Sequence, residues 1–396
     1  MGCTPVRALV EWMSKALDVR FKDQDEDYLH RVLELRVTSH MRLTTPARAV
    51  DAKSALRTSG VKLADARLFE AYFRVRADML DQRMRDTSRQ DAHTYELNAL
   101  KRVADEAPIA VLQDYYELDY PTEKRTHYLI RTAHAYSDIL VLPLLSRITG
   151  KFESDSAVEK YLAFVKRTLE IVDTYNRRPV MGTVPLKIPF TRIGDLIRLY
   201  CREGIRAFCL DFAAYTPEPA RQAVETVLYE LSDQKLLEES FLHAVNMSSG
   251  RPNRSKRVSS CHSILAYGYG VDSFGDLHTP RMKLDEQARV PRQVPVRVFS
   301  RRDYGEHLVE GTNDLRGIKP DLTGVRMQDC PGNKELVKVL NAEQHSLEAG
   351  SFPAMIREGN HKLDRHLAGK EYVDKSELRR IKQTRKAKQL TLDGRS

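Results

Sequence analysis

Several polar residues stand at or just past the ends of short apolar segments: Asp114, Asp211, Asn246, Asp272 and Asp276, with Lys187 in the loop after another segment. Carboxylates in such places suit two kinds of work. One can attack an electrophilic carbon to form a covalent intermediate, while a second carries protons to and from the leaving group. The same pair would serve a glycosidase acting on a sugar. An acid at a strand end can also simply cap the helix that follows. Tyr115, Tyr116 and Tyr215 lie beside these acids. Their rings either stack a flat base or pack on the rim of the fold.

The elements that must position these residues read as alternating strands and helices. Nearly continuous apolar runs at Ile109–Leu112, Asp138–Leu145, Pro179–Val184, Arg206–Phe212 and Phe241–Met247 predict strands covered on both faces. Amphipathic stretches at Thr122–Tyr136, Ala157–Tyr175, Arg192–Glu203 and Glu218–Ser232 predict the helices between them. A right-handed series of such units lies open as a doubly wound sheet or closes into a barrel, where chemistry belongs at the C-terminal ends of the strands. The expectation is an α/β fold, a (β/α)8 TIM-type barrel over residues 108–310. A mainly helical part at 1–107, with apolar spacing through Leu68, Tyr72, Phe73 and Met79, is expected to pack on it. A basic, helical extension follows at 311–396. Val294–Phe299 reads as an edge strand, Asn333–Glu348 as a helix and Lys375–Lys388 as a final basic helix.

With 396 residues, 41% hydrophobic and 30% charged, the chain can bury a large core. Its apolar runs fall far short of the roughly 20 residues that span a bilayer, and Met1–Val10 lacks an apolar signal core, so a cytoplasmic, membrane-free protein is expected. Five scattered cysteines form no disulfide framework. No Gly-x-Gly-x-x-Gly or P-loop sequence follows a strand, which argues against a dinucleotide or triphosphate ligand. A formal charge of +9 favours a polyanionic partner. Arg301, Arg302, Arg379, Arg380, Lys382, Arg385 and Lys386 are the candidate nucleic-acid contacts; the final helix is otherwise a solvated terminus.

The run Gly268-Tyr-Gly-Val-Asp-Ser-Phe-Gly-Asp276, followed by His278-Thr-Pro-Arg281, resembles the nucleophile segment of the tRNA-guanine transglycosylases, Gly-Ile/Val-Asp-Met-Phe-Asp before a Pro-Thr-Arg turn. The order of the segments around it is similar to that family as well. Val111-Leu-Gln-Asp114 falls where the family has Asp-Ser-Gly-Gly-Phe, and Ser137-Asp-Ile-Leu-Val where it has Ser-Asp-Ile-Val. Gly182-Thr-Val and the helix ending at Ile205 match its Gly-Ile-Val-Gln-Gly strand and next helix. Asn333–Leu347 matches the helix that ends in its zinc-binding His-Asn-Leu. The resemblance implies that Asp276 attacks the anomeric carbon with Asp272 as its neighbour, and that Asp114 is the general acid/base. Tyr115, Asp211, Asn246, Lys187 and Arg281 would then surround the substrate.

Departures shape the reading. Gly275 intrudes before Asp276, Tyr115-Tyr116-Glu117 replaces Gly-Gly-Phe, and Pro143-Leu144-Leu145 stands where a base-reading acid belongs. The three-cysteine cluster is missing. Only Cys330 and His345 remain as possible zinc ligands, and a tetrahedral site needs about four. These losses favour DNA over tRNA as the polymer; the resemblance to the family's DNA-acting relatives then implies a 7-deazaguanine as the entering base, and a partner protein that prepares the substrate is a further expectation. The rival is a non-catalytic nucleic-acid-binding barrel whose acids cap helices.

Overall fold

The computed structural model describes residues 16–58, 63–104, 107–152, 154–175, 178–250, 256–278, 295–318, 320 and 323–393. Three antiparallel strands come first: β1 (Asp18–Gln24), β2 (Arg31–Arg36) and β3 (Arg42–Thr44). Next come β4 (Ala47–Asp51), β5 (Leu68–Val75), β6 (Ile109–Tyr115), β7 (Ile139–Val141), β8 (Val180–Pro185), β9 (Ala207–Asp211) and β10 (Phe241–Val245). With the two-residue β12 (Ser273–Phe274) they pair in parallel and close in the order β10-β12-β4-β5-β6-β7-β8-β9. The fold is an eight-stranded parallel barrel wrapped by helices. Every strand and helix expected between residues 108 and 247 is present, with the helices at Glu123–Tyr136, Asp155–Tyr175, Phe190–Arg202 and Pro217–Asp233.

The reading of residues 1–107 as mainly helical is corrected, because two of the eight barrel strands, β4 and β5, lie there. The barrel therefore starts at Ala47, not at residue 108. β5 shows why a helix was expected. Phe69, Ala71, Phe73 and Val75 face the outer helices. Leu68 faces the interior cluster, and Glu70 and Tyr72 bond to groups on β10 and β6. Large apolar residues on both faces put Leu68 with Tyr72 and Phe69 with Phe73 at a spacing of four, which mimics a helix.

The interior is divided along its axis. At the strands' N-terminal end Ala47, Leu68, Ala110, Ile139, Met181, Ala207 and Phe241 form an apolar layer, closed from below by Leu33, Leu35 and Leu43 of the antiparallel sheet. Toward the C-terminal end the inward positions become Glu70, Tyr72, Asp114, Asp211 and His243, all of them polar. Such a layer in a barrel mouth is expensive unless every group is partnered, and it marks where the fold places its chemistry.

A second sheet beside the mouth joins β11 (Val258–Ser260), β13 (Val296–Phe299) and β14 (Gly305–Val309), with β14 central and β13 at an edge, as expected. The helix Lys334–Glu358 packs between this sheet and β4. The last helix, Lys375–Asp393, buries Leu378 and Ile381 and ties its Glu377 to His262 at 2.8 Å. Among the described residues no helix is long and apolar enough to cross a membrane.

Candidate active site

Glu70 sits at the centre of the mouth, fully buried on β5. One of its oxygens accepts from His243 Nε2 at 3.1 Å; the other accepts from His278 Nε2 and from the backbone N–H of Asp276, each at 2.6 Å. A carboxylate only accepts, so both imidazoles carry their proton on Nε2. His243 Nδ1 is hydrogen-bonded to the Ser273 hydroxyl at 2.7 Å. The glycine before Asp276 follows from this arrangement: a Cβ on Gly275 would overlap the Glu70 carboxylate. Glu70, Gly275, Asp276 and His278 thus interlock.

Burial alone would raise the Glu70 carboxyl, but His278 and His243 reverse that and hold it well below the usual range. Burial would lower His278; Glu70, Asp276 and Asp51 together raise it instead. The pH dependence of the pair follows from these directions. Glu70 contributes stability above its ordinary 4.5 and loses it as pH falls through its depressed value. His278 contributes fully below its ordinary 6.5 and loses its share as pH rises through its raised value. Thermal stability should therefore decline on the alkaline side of 6.5, and Glu70→Gln should remove that decline. Nuclear magnetic resonance titration of His278 checks it directly. An unchanged His278 midpoint in Glu70→Gln would show that the carboxylate does not hold the imidazole.

Tyr72 links this centre to Asp114. Its ring stacks on His278 at 4.5 Å between centroids, and its hydroxyl donates to Asp114 Oδ2 at 2.6 Å. Asp114 also accepts from the Ser146 N–H at 3.1 Å and lies 3.7 Å from Arg74 Nε. Across the mouth, Asp211 accepts from Asn246 Nδ2 and from the Ala213 N–H, each at 3.0 Å. Burial raises the Asp211 carboxyl against those bonds, with Asp114 adding to the rise. Asn246 has a left-handed backbone, φ 54°, and its Oδ1 accepts the His278 N–H at 3.1 Å. Asp114, Asp211 and Asn246 therefore belong to one polar network with Glu70 and His278, which Asp276 joins through its backbone N–H and carbonyl.

Asp276 follows β12 directly. Its Oδ1 is paired with Arg48, whereas its Oδ2 is buried with no hydrogen-bond partner among the described residues. Asp276 lines a cavity of about 860 Å³ enclosed by the end of β12, the second sheet and one face of Lys334–Glu358. Lys334, Lys338, Asn341 and His345, spaced by three or four, supply that face.

Other assignments are corrected. Asp272 precedes β12, at the opposite end of the strand from Asp276, and is bound to Arg31 of β2 and to the Leu242 N–H. It is no neighbour of the nucleophile candidate. Tyr115 points outward into the helix-facing core, because Asp114 takes the inward position. Cys330 is buried among Val296, Val298, Leu336 and Leu340. His345 engages both ring nitrogens, with the Asn341 carbonyl at 2.7 Å and Cys261 Sγ at 3.2 Å. The only potential metal-holding group among the described residues is Glu26, Asp27 and His361, so Cys330 and His345 gain no zinc set.

The basic surface is also smaller than the sequence suggested. Arg301 pairs with Glu348 at 3.0 Å, Arg380 with Glu218 at 2.7 Å and Lys382 with Asp364 at 2.7 Å, while Arg385 is half-buried. Arg302 and Arg379 are exposed, and Lys187 stands exposed beside Tyr215. Arg281 and the Lys386 side chain lie outside the described residues. Sequence reasoning missed Arg48, Glu70, Tyr72, Arg74 and His243. The inward alternation Glu70-x-Tyr72-x-Arg74 was the signal for three of them.

No family model and no curated protein matches this chain. Among solved structures it is similar to a pyruvate carboxylase from Rhizobium etli (TM-score 0.36, 9% identity, 58% of this chain and 23% of that one). It is similar to that enzyme's carboxyl transferase domain with pyruvate and biocytin (0.34, 10%, 58% and 39%). A muconate cycloisomerase from Pseudomonas fluorescens is a further neighbour (0.31, 14%, 57% and 52%). The matches span between about a quarter and half of those chains. Likeness at this level says nothing about the reaction, and the barrel rests on its own strand pairing.

Proposed function

We propose that the protein is a transglycosylase that exchanges guanine in a nucleic acid, DNA by preference, for a 7-deazaguanine base through a covalent intermediate on Asp276. One observation carries the reading: a carboxylate at the C-terminal end of the eighth barrel strand keeps one oxygen on Arg48 and leaves the other buried, without a hydrogen-bond partner among the described residues, and beside a large cavity. Such an oxygen is desolvated yet uncommitted, which suits a nucleophile. In the first displacement it forms a bond to C1′ as the bond from C1′ to the guanine nitrogen breaks. The electron pair leaves with the base, which takes a proton from Asp114. In the second, a nitrogen of the entering base attacks C1′, Asp276 departs, and Asp114 accepts the proton that nitrogen sheds. Two inversions give retention at the sugar. The target nucleotide has to leave its stack to reach the mouth.

The test is mass spectrometry of nucleosides from digested DNA and tRNA of cells with and without the protein. A deazapurine in the DNA pool is expected; one in the tRNA pool alone would move the substrate to tRNA. Its absence from both pools, with no base release by purified protein from labelled DNA or tRNA, would leave the non-catalytic binding barrel as the better reading.

A further inference from the structure

Beyond the acids, the barrel mouth carries an arc of rings and cations that the proposed chemistry does not use. Tyr116, just past β6, lies under two guanidiniums, Arg74 from β5 at 4.2 Å and Arg147 after β7 at 5.3 Å from its ring centre. Lys187, after β8, stands 5.7 Å from the ring centre of Tyr215, which follows β9. Phe190 after β8 is 50% exposed and Tyr215 is 44% exposed. β5, β6, β7, β8 and β9 are consecutive neighbours in the barrel, so these loops form one continuous stretch of the rim. The other part of the mouth, from β10 through β12 to β4, holds Asn246, Asp276 and the cavity.

We infer that this arc seats an unpaired stretch of polynucleotide beside the extracted nucleotide, its bases stacked on Phe190, Tyr215 and Tyr116 and its phosphates held by Arg147, Arg74 and Lys187. The inference rests on the reading of the substrate as a nucleic acid. Exposed rings alone would fit many partners, and cations alone any polyanion. Rings interleaved with cations along one stretch of rim match a ligand with flat faces at each repeat and a charge between them. The nearest acids offset this edge only in part: Asp114 lies 3.7 Å from Arg74, while Asp211 is buried on Asn246 and Glu117 accepts the Ala77 N–H at 3.1 Å, so Arg147 and Lys187 carry most of the charge. Tyr215 and Phe190 also keep large apolar area in water, a cost that stacking bases would remove.

Fluorescence anisotropy of the full chain with a labelled single-stranded oligonucleotide of about a dozen nucleotides tests it, since that length approaches one single-strand site. Phe190→Ala with Tyr215→Ala should weaken binding roughly tenfold or more. Arg147→Ala should weaken it and lower the salt slope by about one. Arg202→Ala removes the same charge from the far end of the barrel and should leave affinity unchanged. An abasic strand of equal length should bind the parent protein as weakly as the intact strand binds the ring variant. Equal binding of abasic and intact strands, or equal losses from Arg202→Ala and Arg147→Ala, would reduce the arc to nonspecific charge and overturn the inference, as would no binding by the parent. Base exchange measured on the same samples separates the two readings. Binding lost with the rings, but no exchange by any sample, would keep the arc and remove the transglycosylase; exchange with undiminished binding by the ring variant would do the reverse.

Discussion

Asp276→Asn should abolish base exchange, lowering turnover by on the order of 10⁴ or more, because it removes the atom that forms the bond to C1′. The substitution is nearly isosteric, and its amide oxygen can still accept from Arg48, which now pairs with Asp276. The variant should therefore fold, as a thermal melt would show. Parent protein incubated with labelled oligonucleotide should form an adduct that survives denaturation, and Asp276→Asn should form none. Asp114→Asn separates the roles. Its carboxylate is held by Tyr72 and the Ser146 N–H, so the loss is of proton transfer, costing about 10² to 10⁴ in rate while some adduct still forms. An adduct on Asp276→Asn of the same yield as the parent's would remove Asp276 as the nucleophile. Exchange by Asp114→Asn at the parent's rate would remove Asp114 as the proton carrier.

What the sequence disclosed follows from what each segment buries. β6, β8, β9 and β10 are covered on both faces and buried along their length, so they read as strands without the structure. β5 has the same geometry, but polar groups occupy its inward positions because it holds the site, and the apolar pattern no longer announced a strand. β12 has only two residues, too few for any periodicity. Asp114, Asp211, Asn246 and Asp276 were legible because strand ends in a barrel converge on one face. Their partners were not. Glu70 reaches His243 on β10 and His278 after β12, contacts 173 and 208 residues apart in sequence, and nothing local in the chain signals such pairings. The basic helix failed for the complementary reason: composition counts cations without showing that Arg380 and Lys382 are matched by Glu218 and Asp364.

The two acids of the Gly268–Asp276 run should also differ when mutated, and the second large effect lies with Asp272. Arg31 and Asp272 are 2% and 1% exposed, at the end of the barrel away from the site. The guanidinium also donates to the carbonyls of Leu237 at 2.5 Å and Ser240 at 3.3 Å, and Asp272 accepts the Leu242 N–H at 2.8 Å. This pair fastens β2 beneath β10 and β12. Asp272→Ala strands a buried guanidinium and should cost about 3–5 kcal/mol in urea unfolding near neutral pH. Arg31→Met strands the carboxylate instead, with a similar cost there. Burial pushes the Asp272 carboxyl up to about 6 even with Arg31 beside it, from an ordinary 3.8. Without Arg31 the carboxyl should sit higher still. A raised acid is penalised above its folded value and relieved as pH falls toward 3.8, so Arg31→Met should recover stability on acidification, while Asp272→Ala should not. Joining the two changes, with Leu in place of Asp272, should cost far less than their sum, since neither charge is left alone. Additive losses would show that the two side chains act independently. Asp272→Asn, in whatever fraction folds, should retain base exchange. Its loss there, with Asp276→Asn active, would return the nucleophile's role to the first acid of the run.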